Sequence, residues 1–353
     1  MTVFVPSDVR FETRAGNYIH YRLPLGLAKL GHKVYYSTPN YYWITQPDVD
    51  LSPLIWVSPK EWMDILKEVD LIVWVSNPHG WWGSANEFLD VLVKTKEPAV
   101  CYLCLDYWEG WLLGREWWKV KERETLLVKR SEYVAAVSPQ LCSYLSSRYK
   151  RKVVWIPNAS VPFPLYDRRE NQKVVLIVSS FCPIRRCVGD IIKLSLLHPD
   201  WKFVWIGGES SPHKPTFPPF KYPHNLILKG ERGNDEVISW ARMASFGIVP
   251  AGRNWFSYFA DPTKWYLYHM LKIPIISVNT PHHQKYPNFY PSTVTGWNLT
   301  EVFRRAVSSP PEPSEPKDFH TWDHRVDSFL RWISKGEIVY GYADGGKFHY
   351  TFV

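Results

Sequence analysis

Cysteine and methionine are scarce in this chain of 353 residues, with five Cys and four Met. An odd and sparse cysteine set makes a poor disulfide framework and fits a reducing compartment. No window approaches the roughly 18 consecutive apolar residues of a membrane span. Residues 1–6 lack the basic region and long apolar stretch of a secretory leader, so a cytoplasmic protein is expected. Acidic side chains are in deficit too: 34 Asp and Glu face 42 Lys and Arg, giving a net charge of +8 and a pI near 9.0. That balance points to an anionic partner, which could be a phosphate-bearing substrate, a nucleic acid or an acidic membrane surface. Aromatics, by contrast, are abundant, with 19 Trp, 21 Tyr and 17 Phe making up 16% of the chain. That is more than a core requires and suggests surfaces that stack on sugars, bases or lipid headgroups.

The chain is long enough for two domains. Apolar segments alternate with helical stretches, the pattern of parallel sheets covered by helices. Strands are predicted at 3–6, 33–37, 70–75, 99–105, 133–137 and 152–156, with helices over 18–30, 122–130 and 139–149. Cys101 and Cys104 sit three apart on the strand 99–105, hence on opposite faces, and are read as structural thiols rather than metal ligands. The proline-rich stretch 157–164 reads as a linker. Beyond it the alternation restarts, with strands at 173–178, 202–206, 225–229, 246–249 and 274–277 and helices over 189–197, 234–244 and 262–271. The fold class is α/β, with two Rossmann-like domains facing a cleft. Residues 1–158 are expected to form the first domain, 159–308 the second, and 309–353 a loop, helix and tail packing back on the body. The tail from residue 340 reads as either a hairpin or a loose end.

The most informative segment runs from Asp261 to Ile276. Pro262 is expected at the first helical position, with Thr263 and Lys264 in the first turn. Unpaired N–H groups and the positive end of the helix dipole make an anion site there, and the lysine adds a full charge. An ordinary capped helix with a solvated lysine would read the same way. This segment resembles the "PxKxxEYxAxGxPV" signature of glycosyltransferases with the GT-B fold, above all the retaining family that builds bacterial polysaccharides. Further similarities follow in order: Leu27–Val34 to the first-helix "LAxxGHxV", Ala136-Val137-Ser138 and Ile156-Pro157-Asn158-Ala159 to "VS" and "IPNG", and Trp205-Ile206-Gly207-Gly208 to a strand-ending "IG". His320-Thr321-Trp322 with Arg325 is similar to "SWxxR". Two positions depart from the pattern. Leu267 stands where the family has a ribose-binding glutamate and accepts no hydrogen bond, and Lys272 replaces the usual glycine.

The resemblance implies a nucleotide-diphosphate sugar as co-substrate, a UDP-sugar foremost, with no further cofactor and no metal. Arg185 and Arg186, after the first strand of the second domain, would bind the diphosphate together with Thr263 and Lys264. Ser180, Gly207, Gly230, Glu231, Pro250 and Asp261 would line the nucleotide and sugar pocket. Asp106, at the carboxyl end of the strand 99–105, can act as general base for an acceptor hydroxyl. An aspartate in this place is similar to inverting enzymes of the fold, including some exopolysaccharide transferases and phage enzymes that glucosylate hydroxymethylated DNA bases. His79 is the rival base. If Asp106 is not the base, retention becomes the expected outcome. Arg14, Gly16, Trp81, Trp82, Tyr107, Trp108 and Trp111 are candidates for the acceptor side.

Tryptophans and cations interleave from Trp108 to Arg130, and a second cluster lies at Arg148-Tyr149-Lys150-Arg151-Lys152. Such stretches suit a nucleic-acid strand, an anionic bilayer or a sugar-stacking wall; a core helix with snorkelling cations would also read this way. Residues 1–158 carry 19 basic and 17 acidic side chains and the remainder 23 and 17, so most of the excess charge falls on the donor side. The expected activity is hexosyl or pentosyl transfer with inversion. Its acceptor would be a cell-envelope saccharide or lipid-linked glycan, with peripheral contact to the inner membrane face. The alternatives are a hydroxymethylated base in phage DNA and, outside enzymology, a nucleic-acid or glycan-binding protein on the same scaffold.

Overall fold

The computed structural model describes residues 1–6, 19–37, 50–75, 83–107, 117–163, 172–179, 181, 186–207, 222–230 and 232–351. The chain divides into two units. The first comprises Met1–Ala159, Phe259–Asp261 and Thr321–Val353, and the second Ser160–Tyr258 and Pro262–His320.

The first unit begins β1 (Thr2–Pro6), α1 (Ile19–Lys29), β2 (Lys33–Ser37), β3 (Ile55–Trp56), α2 (Trp62–Ile65), β4 (Leu71–Val75), α3 (Gly83–Leu92) and β5 (Ala99–Cys104). It continues through α4 (Trp117–Arg130), β6 (Tyr133–Ala136), α5 (Pro139–Tyr149) and β7 (Val153–Trp155). Strands such as Leu71–Val75 are apolar at every position and buried at every position, as expected where helices cover both faces of a parallel sheet. Helix α5 illustrates the local logic. Ser138 caps it by accepting from the Leu141 N–H at 3.2 Å, Pro139 opens it, and Lys150 ends it in the left-handed conformation.

The second unit contains β8 (Val174–Val178), α6 (Val188–Leu197), β9 (Lys202–Ile206), β10 (Leu226–Gly230), α7 (Asn234–Ala241), β11 (Ala244–Pro250) and α8 (Trp255–Phe259), whose final residue is counted with the first unit. Then come α9 (Thr263–Met270), β12 (Ile275–Val278), α10 (Pro281–Lys285), β13 (Thr293–Gly296) and α11 (Leu299–Ser308). The chain finally returns to the first unit as α12 (Trp322–Lys335) and the strands β14 (Gly341–Asp344) and β15 (Lys347–Tyr350).

The tail is a hairpin. β14 pairs antiparallel with both β15 and β7, extending the first sheet to nine strands. Trp155 of β7 packs its ring against Tyr340, Phe348 and Tyr350, which covers a strand that would otherwise be an open edge. Helix α12 starts with a Thr321 cap and ends at Gly336 with φ 72°. It lies so close to α1 that a Cβ on Gly26 would collide with Val326.

Within each unit the strands follow one order. The second sheet reads β10-β9-β8-β11-β12-β13, and the first reads β3-β2-β1-β4-β5-β6-β7 before the hairpin. Numbered within its own unit, the second is 3-2-1-4-5-6, the doubly wound Rossmann order, and the first is the same order with β7 added as a seventh strand. All pairings in the second sheet are parallel.

Candidate functional site

In a doubly wound sheet, ligands bind at the carboxyl ends of the strands where the order reverses. In the second unit that point lies between β8 and β11. The two strands pair only as far as Leu176 and Gly247, and beyond this the sheet opens. Tyr268 of α9 fills the opening. Its hydroxyl accepts from the Val178 N–H at 2.7 Å and donates to the Ile248 carbonyl at 3.2 Å. Its ring lies against Gly247 so closely that a Cβ there would fall 2.6 Å from it. Glycine is required at 247 for this reason, and the tyrosine pins α9, with Thr263 and Lys264 at its first turn, to the switch point.

Arg186 and Cys187 meet the end of β11 beside this point. Arg186 makes an antiparallel bridge with Ala251, and the Cys187 N–H donates to the Pro250 carbonyl at 3.2 Å. Burial pushes the Cys187 thiol up to about 12, helped by Asp190 and opposed by the charges of Arg186 and Arg253. Both arginines therefore lie close to this strand end. Arg253 was not singled out from the sequence; it lies three residues beyond the end of β11, in a loop without a motif. Its guanidinium donates to the Trp297 carbonyl at 2.9 Å.

Pro262 is the N-cap of α9 rather than its first helical residue, with ψ 112°. Thr263 and Lys264 are the first two helical residues, and the lysine Nζ lies 3.3 Å from Thr263 Oγ1. Gly207 follows β9 and Gly230 ends β10, and the two meet through a 2.8 Å hydrogen bond from the Gly207 N–H to the Gly230 carbonyl. Gly230 has φ 66°, which glycine adopts without strain. Asn279, after β12, is a residue the sequence reading missed. It sits at φ 58°, is buried, and donates from Nδ2 to the Ala251 carbonyl at 2.7 Å. Since that carbonyl can only accept, Oδ1 faces away from it, and it has no hydrogen-bond partner among the described residues. Leu267 is buried. Lys272, replacing a glycine, adopts φ 51° and pairs with Glu315 at 2.6 Å.

Asp261, expected in the donor pocket, is grouped with the first unit. Its carboxylate accepts from the Asn158 N–H at 2.6 Å and its carbonyl from Asn158 Nδ2 at 2.7 Å. Arg325, fully buried, donates from Nε to the carbonyls of Pro157 and Asn158 at 2.9 and 3.1 Å. The "IPN" and "SWxxR" stretches thus meet in one bracket around residues 157–158.

Asp106 follows β5 at the carboxyl edge of the first sheet and is half-buried. The Cys104 thiol donates to its carbonyl at 3.4 Å. Tyr107 packs its ring on Phe259 at 4.8 Å and Tyr144 at 5.2 Å. Beneath β5 lies Glu124, 4% exposed, which accepts from the hydroxyls of Tyr102 at 2.9 Å and Tyr149 at 2.6 Å. Cys101 and Cys104 are free thiols, fully buried, and burial raises both. His79, Arg14, Gly16, Trp81, Trp82, Trp108, Trp111, Ser180, Arg185 and Glu231 lie outside the described residues.

Several solved structures superpose on this chain over nearly its whole length. Sucrose-phosphate synthase from Thermosynechococcus elongatus superposes with a TM-score of 0.60 at 14% identity, over 94% of this chain and 96% of that one. This is the GT-B fold. An alpha-glucosyltransferase in complex with UDP and a 13-mer DNA containing a HMU base shares it, with a TM-score of 0.54, 13% identity and 94% and 95% coverage. So does a UDP-GlcNAc 2-epimerase from Methanocaldococcus jannaschii, at 0.51, 11%, 94% and 100%. No family model matches the chain, and no curated protein does. GT-B neighbours at such identities share a fold with this chain; their chemistry ranges from transfer to epimerisation.

Proposed function

We propose that the protein is a glycosyltransferase that moves a sugar from a nucleotide-diphosphate donor, a UDP-sugar foremost, to a hydroxyl acceptor. The observation that carries this reading is the cation-flanked switch point of the second sheet within a GT-B fold. Arg186, Arg253, Lys264 and the first N–H groups of α9 bind the diphosphate, and these side chains rather than a metal offset its charge. Asn279 Oδ1 offers a hydrogen-bond acceptor for the nucleoside, a role left open by Leu267. The acceptor hydroxyl gives its proton to the Asp106 carboxylate as its oxygen bonds to the anomeric carbon. The bond from that carbon to the phosphate oxygen breaks, and its electron pair leaves on the nucleoside diphosphate, which the cations stabilise. A single displacement of this kind inverts the anomeric centre.

The test is turnover with UDP-sugars chosen by thermal shift. Lys264→Ala should lower kcat/KM by roughly 10²–10³ while the melting temperature is kept. A near-wild-type rate would overturn the phosphate assignment, and formation of an epimerised donor without a glycoside would move the protein to the epimerase class.

The first acceptor is a saccharide or lipid-linked glycan, since the motif similarities are densest with polysaccharide-building enzymes. A second reading, a hydroxymethylated DNA base, is supported by the neighbour bound to UDP and to DNA containing a HMU base. Label transfer to DNA with hydroxymethylated pyrimidines, and none to unmodified DNA, would select it.

A further inference from the structure

The two basic clusters of the first half of the chain converge. Helix α4 and the end of α5 enclose a pocket of about 540 Å³ lined by four cations, Lys121, Lys129, Arg148 and Arg151, together with Thr125 and Tyr149. No carboxylate is among its lining residues. Of the acids on α4, Glu124 is turned inward and occupied by the hydroxyls of Tyr102 and Tyr149, while Glu122 is exposed beside Lys121 and stays outside the pocket lining. Arg151 forms a fixed wall, donating to the carbonyls of Val128 and Ser131 at 3.1 and 2.9 Å. The Arg148 guanidinium lies over the Tyr149 ring, 5.2 Å from its centroid.

Helical spacing places Trp118, Lys121, Thr125 and Lys129 on one face of α4. Lys121 and Lys129 are exposed, eight residues apart, or about 12 Å along the helix. A nucleic-acid strand carries a charge every ~3.4 Å of helix axis, so this face reaches several successive phosphates. Trp118, 53% exposed with Lys119 near its ring, lies at the end of the same face and offers a flat surface to a base. A bilayer is served less well. Interfacial helices present a broad apolar face, but Val120, Leu127 and Val128 are buried and Trp118 is the only large apolar side chain of α4 that is exposed among the described residues. The surface between the helices is also recessed.

We propose that this pocket and the adjoining α4 face bind the phosphodiester backbone of a nucleic-acid strand, with Lys121 and Lys129 on phosphates and Trp118 beneath a base. The site belongs to the first unit, shares no residue with the switch point of the second sheet, and does not depend on which hydroxyl receives the sugar.

The experiment measures anisotropy of an unmodified, labelled single strand of about 20 nucleotides across about 50–200 mM salt, using the full chain. The double variant Lys121→Gln, Lys129→Gln should weaken binding about tenfold at the lower salt and flatten the slope of log K against log salt by about 1.4. Trp118→Ala should weaken binding at least fivefold with the slope unchanged. Melting temperature and UDP-sugar response are expected to be wild-type in all variants, which separates this result from the fate of the transferase reading. Equal affinity and slope in the double variant would overturn the proposal. So would lysine-dependent binding of inorganic phosphate alone, or of phosphatidylserine vesicles, without binding of the oligonucleotide.

Discussion

The two units share a strand order but bury different kinds of polar group. The first encloses formal charges, each surrounded by donors or acceptors: Glu124 between two tyrosine hydroxyls, and Arg325 on two main-chain carbonyls. The second encloses imidazoles. His269, His282, His283 and His320 are all buried around Trp265 and Tyr290. Burial pushes His269 down to about 4 and, with His282 beside it, drives His283 well below its ordinary value. A charge held by many partners fixes the path of the chain. A neutral imidazole in the interior makes stability depend on protons.

The largest expected effect tests the first half of this contrast. Arg325→Met leaves the carbonyls of Pro157 and Asn158 without their donor and should cost about 3–5 kcal/mol. Urea unfolding gives the size, and hydrogen exchange should locate the loss in β7 and α12. Equal loss of protection in β8 and β11 would break the contrast. Next comes pH. The unfolded chain takes up protons near 6.5 and the buried rings of His269 and His283 resist them, so stability is full above about 6.5 and falls as pH drops towards 4. His269 alone accounts for about 3 kcal/mol over that window, and His283 acts in the same direction. In the first unit His20, pushed down to about 3, acts likewise but is one group against two. Amides of the second unit should therefore lose protection more steeply on acidification, and His269→Gln should flatten that loss. The smallest effect is Gly247→Ala. Its methyl meets the ring of Tyr268, which is tied at its hydroxyl, and should cost about 1–3 kcal/mol. A neutral result in thermal unfolding would show that the ring can move and that α9 is not pinned there.

Alternating apolar and helical segments made the two α/β units legible, because strands buried on both faces read as continuous apolar runs. Strand order was not legible, since it depends on which strands meet, not on what each contains. Within the site, Thr263 and Lys264 could be read from a helix start. Arg253 lay in a short loop with no motif around it, and Tyr268 looked like one more core aromatic. Glu124 could have been found: Val120, Glu124, Leu127 and Val128 share one helical face, so a carboxylate among them had to point inward. Lys272 hid its conformation, because a lysine at φ 51° carries none of the signal that a glycine gives.

The first unit is drawn from three separate stretches of chain, and its sheet is completed only by β14 and β15. During vectorial synthesis β7 is made long before its antiparallel neighbour exists. The second unit, whose own strands all lie between residues 174 and 296, can close while the first still waits with an unpaired strand edge. Order of synthesis and order of completion are therefore reversed, and the exposed edge of β7 is the interval's point of vulnerability to aggregation or to a chaperone.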